Sequence, residues 1–216
     1  MNKEKVEIVL ASSNKGKLAE IATMLKPCNV LVRSLAEFPE IGNIEENGNS
    51  FEANALIKAR HVAEKTGLPC LADDSGLVVD ALDGAPGVFS ARFANDIPYL
   101  PGESLDQRNT RKVLLLMADV PEADRACRFV TVMACVRPDG SELLTRGEWK
   151  GRLLFEPRGN NGFGYDPVFY DEELQKSAAE MSGTEKNARS HRGKALTAMI
   201  RQLPAFLGIS VCDKAK

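Results

Sequence analysis

The sequence has little that would tie it to a nucleic acid, a membrane or an oxidising compartment. Its charges nearly cancel, 28 Lys and Arg against 30 Asp and Glu for a formal net of -2, so bulk electrostatics give no support to coating a polyanion or a lipid surface. No stretch approaches the ~20 apolar residues that a spanning helix needs. The charged start, Met1 to Lys5, leads only into a strand-length apolar run, Val6 to Ala11, so a cytoplasmic protein is expected. The five cysteines (Cys28, Cys70, Cys127, Cys135 and Cys212) show no CxxC spacing and have no matching histidine pair. Reduced, structural thiols are the expectation. No internal repeat, low-complexity tract or Pro/Ser-rich linker interrupts the chain.

What is present suits one α/β unit. The 216 residues, 44% apolar and 27% charged, are enough for a substantial core and leave room for two lobes. Val6 to Ala11 and Val30 to Leu35 read as strands, with a helix at Lys17 to Leu25 between them. Ser50 is an N-cap for a helix over Phe51 to Thr66, ended by Gly67 with Pro69 beyond. Cys70 to Ala72 and Leu77 to Ala81 read as short strands flanking an acidic turn, Asp73-Asp74-Ser75-Gly76. Gly84-Ala85-Pro86-Gly87 is a turn cluster, and Ser104 to Ala118 has a helical apolar pattern. Arg128 to Arg137 and Glu142 to Gly151 are β-rich runs joined by Pro138-Asp139-Gly140, a hairpin signal. A structured loop is expected over Gly159 to Tyr170, helices near Asp171 to Ala179 and Lys194 to Leu203, and a loop over Ser182 to Gly193.

Five segments could carry chemistry. Asp73 and Asp74 are hard oxygen donors, suited to a divalent cation such as Mg²⁺, which is commonly held by one or two carboxylates plus substrate phosphates. Ser12-Ser13-Asn14-Lys15-Gly16-Lys17 supplies hydroxyls, two lysines and the free N–H groups of a helix start, a setting that favours phosphate without being a Walker A loop. An N-capped turn with solvated lysines is the plainer reading. Glu45-Glu46-Asn47-Gly48 precedes the helix bearing Asn54 and Lys58, four apart and so on one face. This set is either a solvated acidic loop or the second half of a metal and triphosphate site. Phe163-Gly164-Tyr165-Asp166-Pro167 offers rings for stacking on a base and a carboxylate for a ring N–H, against an aromatic-anchored turn. Lys186 and Ser190-His191-Arg192-Gly193 form a donor-rich loop that could read base carbonyls or could simply cap the last helix. His61 and Trp149 read as structural.

Taken in order, these motifs, with Ala72-Asp73-Asp74-Ser75-Gly76-Leu77 and Gly84-Ala85-Pro86-Gly87-Val88-Phe89-Ser90-Ala91-Arg92, resemble the HAM1-like inosine triphosphate pyrophosphatases from about Val6 to Leu203. The resemblance implies an α/β fold with an elongated, mixed central sheet flanked by helices and two lobes around a cleft, residues 1–216 forming one bilobed domain. It implies a homodimer and Mg²⁺-dependent hydrolysis of ITP, dITP and XTP to the monophosphate and pyrophosphate, with neither a nucleic-acid polymer nor a membrane as partner. By motif position Asp74 is the proton acceptor and a metal ligand, partnered by Glu45 or Glu46. Substrate would be held by Ser12, Ser13, Asn14, Lys15, Gly16, Lys17, Asn54 and Ser75, with Lys58 nearby. The base would be held by Phe163, Gly164, Tyr165, Asp166, Lys186, His191 and Arg192. Two positions depart from the family pattern: Ser13 stands where Gly is usual and Phe89 where Tyr is frequent. The neighbouring readings are a Maf-like pyrophosphatase of other base specificity, disfavoured by the Ser190-His191-Arg192 and Phe163–Asp166 segments, and a nucleotide sensor, which would not need the acidic pair.

Overall fold

The computed structural model describes residues 5–12, 15–25 and 30–209, the side chains of Lys15 and Glu20 excepted. Among the described residues, seven strands form one mixed, open sheet: β1 (Val6–Ala11), β2 (Val30–Ser34), β3 (Cys70–Val79), β4 (Ala126–Val136), β5 (Glu142–Leu153), β6 (Phe169–Asp171) and β7 (Lys176–Ser177), in the order β2-β1-β3-β4-β5-β6-β7. β1 runs parallel to β2 and β3, with Val9 opposite Cys70 and Ala11 opposite Ala72. β5, β6 and β7 are antiparallel. The helices are α1 (Lys15–Leu25), α2 (Phe51–Thr66), α3 (Leu105–Leu116), α4 (Gly183–Arg189) and α5 (His191–Leu207). Among the described residues, no helix is long and apolar enough to cross a membrane.

The chain divides into two compact units. Unit 1 holds residues 1–74, 132–146 and 194–216; unit 2 holds 75–131 and 147–193. Each has its own core. In unit 1, Ile8 and Leu10 of β1 pack with Ile21 and Leu25 of α1, Leu71, Met133, Cys135 and the Ala195, Leu196, Met199, Leu203 stripe of α5. Its spacing, i, i+1, i+4, i+8, is that of one helical face. In unit 2, Leu77, Val79, Val113, Met117, Phe129, Trp149, Tyr165 and Phe169 form the second core. Cys70, Cys127 and Cys135 are free and buried in these cores. Burial pushes all three thiols up, Cys135 to about 12. The expectation of structural thiols therefore fits those three, while Cys28 and Cys212 lie outside the described residues.

Helix α2 starts where expected. Ser50 accepts from the Ala53 N–H at 3.1 Å, and Gly67 ends the helix in the left-handed region at φ 66°. Three expectations need correction. The acidic segment is not a turn between two strands but the middle of β3, buried at nearly every position. The region Asp171 to Ala179 is a hairpin rather than a helix. The Asp171 carboxylate accepts from the Glu173 and Leu174 N–H groups, at 3.0 Å each, and Gln175 takes φ 55°, which closes a turn that sets Tyr170 opposite Ser177. Finally, Ser182 to Gly193 is not all loop: α4 lies within it, started by a reciprocal cap between Ser182 and Glu185. That Ser-x-x-Glu spacing was a readable helix signal.

Candidate active site

Within unit 1 the polar residues of interest sit on elements that are otherwise apolar. The buried stripe of α2 runs through Phe51, Asn54, Ala55, Lys58, Ala59 and Val62. Asn54 is fully buried and Lys58 nearly so; such groups are costly in a core unless partnered. Their partners lie on β3 and in the acidic loop. Asn54 donates from Nδ2 to Asp74 Oδ2 at 3.1 Å and accepts the Gly48 N–H at 2.8 Å through Oδ1. This ties the acidic loop to α2 and fixes the amide orientation. Lys58 Nζ stands 3.2 Å from Glu46 Oε1 and 3.8 Å from Asp74 Oδ1. Glu45, by contrast, is exposed.

Successive residues of a strand face opposite ways, so Asp73 and Asp74 divide their work. Asp73 ion-pairs with Lys17 Nζ of α1 at 2.9 Å, while Asp74 faces Asn54, Lys58 and Glu46. Burial raises the Asp74 pKa above the usual carboxylate value. Lys58 and Lys17 oppose that rise, the Glu46 charge adds to it, and the Asn54 hydrogen bond opposes it. The result is a carboxylate more basic than an exposed one, held in place by an amide.

Among the described residues, no group of three or more His, Cys, Asp or Glu is arranged as a metal cage. Mg²⁺ does not require one, since one or two carboxylates and the substrate phosphates usually complete its shell. Asp74 and Glu46 form such a donor set. The Lys58 ammonium, within 4 Å of both, marks a position where positive charge between them is favourable. The donor chemistry therefore fits a hard divalent cation held by Asp74 and Glu46. Of the phosphate-loop residues, Ser12 directly follows β1, and Gly16 and Lys17 lie in the first turn of α1; Ser13, Asn14 and the Lys15 side chain lie outside the described residues.

Unit 2 assembles the late motifs. Lys186 of α4 donates to Asp166 Oδ2 at 2.7 Å, a pair almost wholly buried, and the same oxygen accepts the Phe163 N–H at 2.9 Å. Gly162, at φ 77°, leaves room for that carboxylate: a Cβ there would stand 2.0 Å from Asp166 Oδ2. Lys186 Nζ and the Arg192 guanidinium both lie against the Phe163 ring, 4.8 and 5.5 Å from its centroid. Arg192 also donates from Nη2 to Ser75 Oγ at 3.2 Å. His191 is buried and stacked on Phe129 at 4.7 Å, with the rings 15° from parallel.

Tyr165 is buried too, and its hydroxyl donates to the Ser90 carbonyl at 2.8 Å, so the ring is a strut inside the core. Gly164 donates its N–H to Asp106 Oδ2 at 2.8 Å. Phe163, Asp166, Lys186 and Arg192 are thus brought together, with His191 packed behind in the aromatic core. Three features went unread in the sequence: the Lys17–Asp73 pair, the Ser90 hydroxyl, and the Asp171–Arg189 pair, 2.8 Å from Nε to Oδ2, which fastens the end of α4. Ser90 lies in the Gly84–Arg92 motif on a 3-10 helix of six residues, Gly87–Arg92, too short for a periodic pattern to show which way its side chain faces.

Residues 8–202 match the family described as the Ham1 family. The chain is 51% identical over 202 residues to the dITP/XTP pyrophosphatase of Nitratidesulfovibrio vulgaris, covering 94% of this chain and 98% of that one. It is 48% identical over 199 residues to the dITP/XTP pyrophosphatase of Pseudomonas aeruginosa, covering 91% and 96%. Among solved structures, a HAM1 protein from Coxiella burnetii superposes with a TM-score of 0.82 at 44% identity, over 93% of this chain and 99% of that one. The Staphylococcus aureus Ham1 protein does so with 0.80 at 34% identity, again over 93% and 99%.

Proposed function

Because the chain belongs to the Ham1 family, we propose that it hydrolyses dITP, XTP and ITP to the nucleoside monophosphate and pyrophosphate, clearing non-standard purine nucleotides from the cytoplasmic pool. The observation that carries the mechanism is the setting of Asp74: a buried, basic carboxylate aligned by Asn54 and flanked by Lys58 and Glu46. A general base works best when its pKa approaches the operating pH, and the Asp74 shift is in that direction. Asp74 takes the proton from the water that attacks the α-phosphorus. Asn54 keeps its oxygens oriented, and Lys17, positioned by Asp73, offsets charge on the departing pyrophosphate together with Ser12 and Gly16. Mg²⁺, held by Asp74 and Glu46 with the phosphates, would supply neutralisation of developing negative charge.

The unit 2 cluster serves the base. Hypoxanthine and xanthine carry a carbonyl at position 6, which Arg192 and Lys186 can meet with donors; the amino group of adenine would leave those donors unmatched. A site built on buried hydrogen bonds can reject the mismatched partner by about 10⁴-fold. A purine nucleoside triphosphate, the substrate named for the relatives, carries both a base and a triphosphate, which is the reason for assigning both clusters to one substrate. In this reading residues 1–216 act as one functional domain, assembled as the homodimer the resemblance implies. Pyrophosphate release from ITP, XTP, dITP, GTP and ATP, with and without Mg²⁺, tests it. Fast turnover of the first three that requires the metal is expected. Comparable rates on ATP would contradict the base assignment, and release of single phosphate would contradict attack at the α-phosphorus.

A further inference from the structure

The Gly84–Arg92 motif has no part in the chemistry above, yet its Ser90 joins the two segments that read the base. We propose that Ser90 is a positioning residue for base recognition, holding Ser75 and the Phe163–Asp166 loop in a fixed relation; this rests on the base assignment just made. Ser90 is buried and its hydroxyl is used twice: it accepts the Leu77 N–H at 2.9 Å and donates to the Gly87 carbonyl at 2.7 Å. Its carbonyl accepts the Tyr165 hydroxyl at 2.8 Å. Leu77 lies two residues after Ser75, whose hydroxyl accepts from Arg192 at 3.2 Å. Arg192 in turn lies against the Phe163 ring, 5.5 Å from its centroid, and Phe163 stands two residues before Tyr165. The contacts close a ring: Arg192, Ser75, Leu77, Ser90, Tyr165, Phe163 and back to Arg192.

Two further observations show how tightly the ring is drawn. A Cβ at Gly76 would stand 2.3 Å from the Gly87 carbonyl oxygen and 2.4 Å from Ser90 Oγ. The segment after Asp74 can therefore approach Ser90 only because residue 76 has no side chain. Tyr165 is buried among Leu77, Phe129 and Phe169, so its hydroxyl has a fixed reach, and Ser90 receives it through a backbone atom that substitution cannot move independently. Ser90 makes its hydrogen bonds to Leu77, Gly87 and Tyr165. It acts through Leu77 and Tyr165, setting the separation of the groups that meet the base while leaving the Asp74, Lys58 and Asn54 contacts alone.

Ser90→Ala and Tyr165→Phe each remove one side of the connection, and steady-state kinetics on ITP and ATP with tripolyphosphate as competitive inhibitor read the consequence. Each lost hydrogen bond should raise KM for ITP about three- to tenfold and narrow the ITP over ATP preference. The inhibition constant of tripolyphosphate, which has no base, should stay within about twofold of wild type. The double variant should be less than additive, because both changes open the same ring. An unchanged KM and preference in both single variants, or a tripolyphosphate constant that rises in step with KM, would overturn the inference. Wild-type protein that does not favour ITP over ATP would instead overturn the base assignment on which it rests. Gly76→Ala, which presses on Ser90 from β3, should reproduce the Ser90→Ala phenotype; a variant that kept the full ITP preference would count against Ser90.

Discussion

Asp74→Asn separates catalysis from binding and from stability, because the substitution removes a charge and little else. The amide oxygen of an asparagine can still accept from Asn54 Nδ2, now 3.1 Å from the carboxylate, and the side-chain volume is unchanged. Lys58 keeps Glu46 at 3.2 Å. What disappears is a basic carboxylate. Loss of a positioned general base lowers rates by about 10² to 10⁴, so kcat for dITP should fall by at least about 100-fold. Nucleotide binding, followed by isothermal titration without Mg²⁺, should persist. A sensor with no need of the acidic pair would show no such divergence. Undiminished turnover would refute the assignment of Asp74.

The same variant carries a stability prediction of opposite sign. Lys58, 3.8 Å away, attracts the Asp74 carboxylate with a gross energy of about 4 kcal/mol at an effective dielectric near 20. The folded pKa is nevertheless raised above 3.8, because burial and the Glu46 charge outweigh the lysines and Asn54. A raised pKa means that the folded state holds the proton more tightly than the unfolded one. This contribution to stability is complete below the unfolded value and is lost as pH rises through the folded value. At pH 7 the ionised Asp74 is therefore a cost that asparagine avoids. Asp74→Asn should melt at a higher temperature than wild type at pH 7, with the difference shrinking as pH falls toward 3.8. The acid limb of kcat/KM against pH should lie above the ordinary aspartate range. A variant less stable than wild type at pH 7 would refute the account of the Asp74 environment.

Two further pairs of substitutions separate neighbouring roles. Glu46→Gln should lower activity about 10²-fold and raise the Mg²⁺ concentration needed for half-maximal rate, while Glu45→Gln, on an exposed side chain, should leave both near wild type; a metal titration on the two variants decides between them. Asp166→Ala strips a buried carboxylate from Lys186, 2.7 Å away, and should lower stability by about 3 to 5 kcal/mol, with Asp166→Asn milder because an amide oxygen can still accept; chemical denaturation of the two variants measures the difference.

How much of this was legible depended on whether the information was local. The N-cap at Ser50, the αL stop at Gly67 and the Asp139-Gly140 hairpin are set by neighbours in sequence, and each was readable. The hairpin at Tyr170 to Ser177 was not, because its cause is one carboxylate serving several partners. Asp171 takes two backbone N–H groups from its own turn and also the Trp149 Nε1–H at 2.8 Å, the last from a strand far off in the chain. Asn54 and Lys58 were readable as one helical face, but not as the buried face. Only the arrival of Asp74 and Glu46 makes that burial tolerable, and that is a tertiary fact.

The acidic pair shows the same division most directly. Read as a turn, Asp73-Asp74 suggests two carboxylates converging on one cation. In a strand they cannot converge, since the period of two sends one to each face. The pairing of β1 with β3, Ala11 opposite Ala72, brings the start of α1 beside Asp73, and Lys17 closes on it at 2.9 Å. Asp74, on the other face, meets Asn54 and Lys58 of α2. One strand thus supplies two different services from adjacent residues: a fixed anchor for a phosphate-facing lysine and a buried base with a carboxylate neighbour. Inserting a single residue before Asp73 would move Asp73 into the position that meets Asn54 and leave the inserted residue opposite Lys17, removing the anchor. The identity of the pair matters less than its register, and the register is fixed by Cys70 opposite Val9.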